Sequence, residues 1–245
     1  MAVGFTYRCE ATSVEGFVQQ LAVSYVRNGY FFYATGFVRE GRDPREIDRQ
    51  IIQRYGIDVS KFARARRKKG GQANLHYLRH KQFFVIIATA GRHLFYEREA
   101  KVIRDIRREP IVYDGYALGY ANRRATVRID RGTELNLRAY FEDVATRYSA
   151  GGIMRQFRRL PFQPYGPVRK QLLEILEEVN RLRRAKGLER VPMTSVRWKR
   201  WIVKPFGEGS WPDSPGRAAG PAGDPPRSLE DATGGEARPD PTRTR

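Results

Sequence analysis

Apolar positions along the chain recur with two periods, and their alternation predicts the order of elements. Thr12-Ser13-Val14-Glu15 reads as a capping box, and behind it Val14, Phe17, Val18, Leu21, Ala22, Tyr25 and Val26 return at helical spacing until Asn28-Gly29. Residues 30–38 are dense in aromatic and β-branched side chains, which predicts a strand. Asp43-Pro44, with Glu46 behind, opens a second helix whose inner face is Ile47, Ile51, Ile52 and Tyr55, and Gly56 stops it. Residues 75–79 and 82–89 pair as strands, the second apolar on both faces and therefore central. Phe95, Val102, Ile103 and Ile106 share one helix face opposite Arg98, Lys101, Arg104 and Arg108, with Pro110 as the stop. Residues 111–120 and 124–130 form a hairpin around Asn122.

The remainder reads as mainly helical. Leu137, Tyr140, Phe141, Val144 and Tyr148 mark one helix, residues 149–160 a shorter one. The longest starts at Pro167, uses Val168, Leu172, Ile175, Leu176, Val179 and Leu182, and is capped by Gly187. A last strand is expected over 196–203, and a disordered tail from 207 onward, where periodicity vanishes into Pro, Gly, Ser, Asp and Arg. Between 30 and 130 the order is strand, helix, strand, strand, helix, strand, strand. The fold class is therefore α+β: a ferredoxin-like β-α-β-β-α-β core with an extra strand, an N-terminal helix and a C-terminal helical layer. The expected organisation is a basic sheet domain over 1–130, a helical layer over 131–206 packed on it with a final strand, and the tail over 207–245.

Charge changes this picture from a fold to a function. The chain of 245 residues holds 46 Lys and Arg against 27 Asp and Glu, a formal +19. The tail has seven acids and five arginines, so residues 1–206 carry about +21. A compact body so charged repels itself, and a polyanion relieves the repulsion. Arginine supplies 37 of the 46 cations, which suits bidentate contact with phosphate. The expected partner is nucleic acid, DNA or RNA. The longest uncharged apolar run, 83–88, is strand length, which excludes a single apolar membrane-spanning helix. The N-terminus lacks a signal-peptide layout, and the lone Cys9 excludes an internal disulfide framework, so the expected location is cytoplasmic.

Three segments are candidates for holding the polyanion. Lys61, Arg64, Arg66, Arg67, Lys68 and Lys69, followed by Gly70-Gly71, read as a basic loop able to neutralise successive phosphates without reading bases. On the strand 124–130, Ala125, Val127 and Ile129 face one way and Arg124, Thr126 and Arg128 the other, which leaves an Arg-bearing sheet face; Tyr113, Tyr116 and Tyr120 next to it are candidates for stacking on bases. Arg197, Trp198, Lys199, Arg200 and Trp201 interleave cations with indoles, a pattern equally suited to base stacking or to sealing a core edge. Catalytic signals are sparse. His76, His80 and His93 are the only histidines, no Cys or acid follows the His76/His80 pair at metal-ligand spacing, and neither a phosphate-binding Gly-rich loop nor a nucleophile elbow is present. No metal or other cofactor is implied.

The strand order, with His76-Tyr77-Leu78-Arg79-His80-Lys81-Gln82-Phe83-Phe84-Val85 leading into the central strand, resembles rolling-circle initiators and REP-associated tyrosine transposases. That family holds a divalent metal with two histidines flanking a hydrophobic residue, and a helical tyrosine attacks the DNA phosphodiester. The matching stretch here, His80-Lys81-Gln82, keeps one histidine around a charged residue, and the helical tyrosines are Tyr96 and Tyr140. The resemblance implies a DNA-binding frame, and as an alternative function a mobile-element nuclease or transposase of degenerate site. Residues 15–30, a helix feeding a strand, are also similar to LAGLIDADG homing endonucleases, with Arg27-Asn28 where that family carries its metal-binding acid. A third alternative is a basic factor that binds an acidic protein or ribosome surface.

Overall fold

The computed structural model describes residues 7–200 and 203–207. Within them the chain forms two compact units. One contains the described parts of 1–17, 28–105 and 205–245; the other contains Val18–Arg27 and Ile106–Lys204. The mixed α+β class expected from the periodicity is the class observed.

Helix α1 (Val14–Gln19) starts at Ser13, whose hydroxyl accepts from the Gly16 amide at 3.1 Å, so the cap lies one residue past the Thr12 of the expected box. It runs on through a π-helical stretch (Gln20–Tyr25) and a 3-10 turn (Val26–Asn28). Of the seven apolar positions, six are buried.

In the first unit, β1 (Phe32–Phe37), β2 (Leu75–His80), β3 (Phe83–Ala88) and β4 (Arg104–Asp105) form one antiparallel sheet of order β2-β3-β1-β4. Helices α2 (Pro44–Arg54) and α3 (Lys61–Lys69) link β1 to β2, and α4 (Leu94–Arg98) follows β3. That order, with those connections, is the β-α-β-β-α-β topology. Every residue of β3 is buried, as its unbroken apolar run predicts. Asp43 caps α2 by accepting from the Arg45 amide, with Pro44 at the first helical position.

The fourth strand is not where periodicity places it. The helix expected from Phe95 to the stop at Pro110 ends at Arg98, because Glu99 turns inward and its carboxylate accepts the buried Tyr55 hydroxyl. Arg104 and Asp105 then pair with Tyr33 and Phe32 at the edge of β1. Val102 and Ile103 pack on the core from a turn, which is why they mimic a helix face. The polar centre of this unit is Asp48, fully buried on α2. It accepts from the Arg79 guanidinium at 2.9–3.1 Å, from the Tyr77 hydroxyl at 2.6 Å and from the Cys9 thiol at 3.6 Å.

The second unit holds β5 (Ile111–Tyr113), β6 (Tyr116–Ala121) and β7 (Arg124–Ile129), a separate three-stranded antiparallel sheet. The single strand expected over 111–120 is broken at Asp114-Gly115, both at positive φ, as Asn122 and Arg123 are in the next hairpin. Paired positive φ values in two-residue loops follow the twist of the flanking strands. Helices α5 (Arg131–Val144), α6 (Ala150–Arg159) and α7 (Gly166–Ala185) complete the unit, with Asp130 and Ser149 as caps of the first two. The boundary expected at 130 therefore separates strands from helices that share one unit. Among the described residues of 196–203 no strand forms. The backbone of Val203 is met by the side-chain amide of Gln19, which donates to its carbonyl at 2.7 Å and accepts from its N–H. Gln171 does the same for Ile129 on β7, and Asn180 for Val191. The tail expected from 207 lies outside the described residues beyond Gly207.

Candidate nucleic-acid interface

Residues 61–69 form a helix, α3 (Lys61–Lys69), rather than a loop. Ser60 caps it by accepting from the Ala63 amide at 3.2 Å, and Gly71 at φ +68 ends it. Alanine, lysine and arginine are all good helix formers, and the cations of the last turn sit at the negative end of the helix dipole. Helical geometry divides the six predicted binding residues into two sets. Arg67 donates to the Gly56 carbonyl at 3.0 Å and Arg64 to the Ile57 carbonyl, so both half-buried guanidinium groups tie the helix to the end of α2. Lys61, Arg66, Lys68 and Lys69 are exposed, and their side chains make no hydrogen bond or ion pair among the described residues. No acid lies between Ser60 and Gly71.

On β7 the predicted alternation is present. Val127 and Ile129 are buried, whereas Arg124 and Arg128 are exposed and without an ion pair among the described residues. The register sets Ala117 beside Arg128, Gly119 beside Thr126 and Ala121 beside Arg124, so the arginines share their face with small residues. The tyrosines are on the other face. Tyr113, Tyr116 and Tyr120 share the side of Leu118 and Val127, and Tyr116 is buried with its hydroxyl accepting from the Gln163 amide at 2.8 Å. They cannot stack on anything that the arginines hold.

The 197–201 segment is also divided. Arg197 donates to the Leu160 carbonyl at the end of α6. Trp198 is 53% exposed with the Arg169 guanidinium 4.6 Å from its ring centre, and Arg200 lies 4.9 Å from the ring centre of Tyr165. Lys199 is exposed, and Trp201 lies outside the described residues. A further basic surface, not among the predicted segments, is α6, where Arg155, Arg158 and Arg159 are exposed and unpaired among the described residues. The three arginines around buried Ile153 and Phe157 were the available signal.

The acids of the second unit are gathered elsewhere. Its 23 Lys and Arg face ten Asp and Glu, and three of those ten (Glu134, Glu174, Glu178) surround the single Arg138 at 2.9–3.6 Å across α5 and α7. Further carboxylates pair locally with Arg147, Lys170 and Arg181, whereas Arg124, Arg155, Arg158 and Arg159 have no ion pair among the described residues.

The groups considered for chemistry are set differently. His80 is buried with its ring against Phe17, and burial, helped by Arg64, pushes His76 down to about 3. The Tyr96 hydroxyl donates to the Thr89 carbonyl at 2.6 Å, and burial and Asp105 push it up to about 12. Tyr140 is half-exposed on α5. Burial and the neighbouring Asp48 push the Cys9 thiol far up, which keeps it protonated. Among the described residues no cluster of three or more His, Cys, Asp or Glu is placed to hold a metal ion, and no helix is long and apolar enough to cross a membrane. No protein-family model matches the chain, and no curated protein matches it.

Proposed function

We propose that this chain binds nucleic acid by its phosphate backbone, with α3 as the principal contact and the Arg124/Arg128 face and α6 arginines as further ones. The observation that carries this is the outward face of α3, where four cations stand together with no carboxylate to neutralise them. Concentrating unpaired charge on a nine-residue helix raises the free energy of the isolated protein, and phosphates lower it by releasing their condensed counterions. Arg64 and Arg67 support the helix from behind, so the cations in front are held on a rigid element.

The logarithm of the binding constant is expected to fall linearly with the logarithm of salt concentration. Each replacement of Lys61, Arg66, Lys68 or Lys69 by alanine should flatten that slope by about 0.7–0.9. Replacing Arg64, whose guanidinium serves the fold, should lower stability and change the slope less. A salt-independent affinity, or slopes indifferent to all four exposed cations, would overturn the proposal.

A nicking or transposase activity has one supporting feature, the β2-β3-β1-β4 order of the sheet that carries His76 and His80. Incubation with single-stranded DNA and Mn²⁺ tests it. A covalent adduct lost in Tyr96→Phe or Tyr140→Phe is the expected sign of that chemistry, and an intact strand counts against it.

A further inference from the structure

Phe62 on α3 is 81% exposed, far beyond the other large apolar side chains of the described residues. Its helix does not need it there. The inner face of α3 is made by Ala63, Arg64 and Arg67, which are half-buried, and the ring points away from them. Helical spacing sets Ala65 and Arg66 one turn beyond Phe62 and Lys69 two turns beyond, with Lys61 adjacent. An aromatic ring is therefore held in water among cations that lack carboxylate partners.

We infer that α3 is a site for unpaired nucleic acid, in which Phe62 stacks on a base while Lys61, Arg66 and Lys69 hold the neighbouring phosphates. This rests on the proposed nucleic-acid function and narrows it to single strands. A cation-only helix follows any phosphate backbone, paired or not. A phenyl ring adds affinity only where a base presents its face, and in a duplex those faces are covered by the adjacent base pairs. The composition of α3 also argues against a lipid surface. A helix that lies in a membrane interface needs a continuous apolar face, and the exposed side of α3 offers only Phe62 and Ala65.

The test compares one labelled mixed-sequence oligonucleotide, single-stranded and as its duplex, by fluorescence anisotropy with the full chain at low salt. Phe62→Ala should weaken single-strand binding by about 5- to 150-fold, the loss of one stacked base, and change duplex binding by less than about twofold. Phe62→Trp should retain the single-strand affinity, whereas Phe62→Leu, which keeps apolar bulk without a ring, should lose it. An unchanged thermal melt of each variant shows that the fold is intact. Equal losses on both forms, no loss on either, or full retention by Phe62→Leu would overturn the inference. So would Phe62-dependent binding to phosphatidylserine vesicles with oligonucleotide affinity unmoved. If the unaltered chain binds neither form, the proposed function falls as well; if it binds both and Phe62→Ala is silent, only the single-strand assignment falls.

Discussion

Replacing Asp48 by alanine is expected to destabilise the first unit by about 3–5 kcal/mol. Asp48 is fully buried and receives donors from Arg79, Tyr77 and Cys9. Burial pushes its carboxyl up from the ordinary value, and the hydrogen bond and charge of Arg79 pull it back. Removing the carboxylate leaves the Arg79 guanidinium buried, with the Lys81 carbonyl at 2.6 Å and the half-exposed Glu10 at 3.3 Å as its remaining polar contacts. A buried charge that loses its buried partner and keeps only a half-exposed one costs more than the original pair contributes. Accordingly, the double replacement Asp48→Leu with Arg79→Met should lose less stability than Asp48→Ala alone. Urea denaturation of the three proteins checks both statements. A loss below about 1 kcal/mol for Asp48→Ala would place the pair in effectively solvated surroundings.

Stability should also fall as pH drops from about 6.5 towards 3, with His76 as a principal cause. The ring lies 4.9 Å from that of the buried Tyr30 and its Nδ1 is 3.1 Å from the hydroxyl of the half-buried Tyr7, so protonation would place a charge among aromatic side chains. Burial lowers its pKa to about 3, with Arg64 adding to the effect. In the unfolded chain the same group takes its proton near 6.5. Below 6.5 the unfolded state therefore binds a proton that the native state refuses, and stability declines by roughly 1.4 kcal/mol per pH unit until the native ring also titrates. Across the window the loss is of the order of 4 kcal/mol. Replacing His76 by phenylalanine should remove that part of the slope, most cleanly between pH 5 and 6.5, above the range of ordinary carboxylates. Parallel slopes for the two proteins over that interval would show that His76 is already accessible to protons.

The candidate interface was only half legible. Residues 61–69 stand out in the sequence as a run of cations, yet composition does not say which of them are free. Arg64, Arg67 and Arg197 look like Arg66 on paper, and each spends its guanidinium on a backbone carbonyl. The tyrosines beside β7 illustrate a register effect. A strand puts successive side chains on opposite faces, so the turn at Asp114-Gly115 and the pairing of Leu118 with Val127 decide which side Tyr116 takes. Phe62 gave no periodic signal, because a single exposed ring belongs to no apolar face.

The elements settled by local physics were readable in advance: the apolar stripes of α1, α2 and α7, the buried run of β3, the alternation along β7 and the caps at Asp43 and Gly187. Each depends on the backbone period and a neighbour within a few residues, and both are written in consecutive letters. The net charge was equally fixed by composition. Tertiary structure alone decided that Arg104 and Asp105 close the first sheet, that residues 111–129 build a second one, and that Arg79 is buried while Lys61, Arg66, Lys68 and Lys69 remain in water. Those outcomes depend on groups distant in sequence, because a strand edge or a charge is defined by whatever partner the folded chain brings to it.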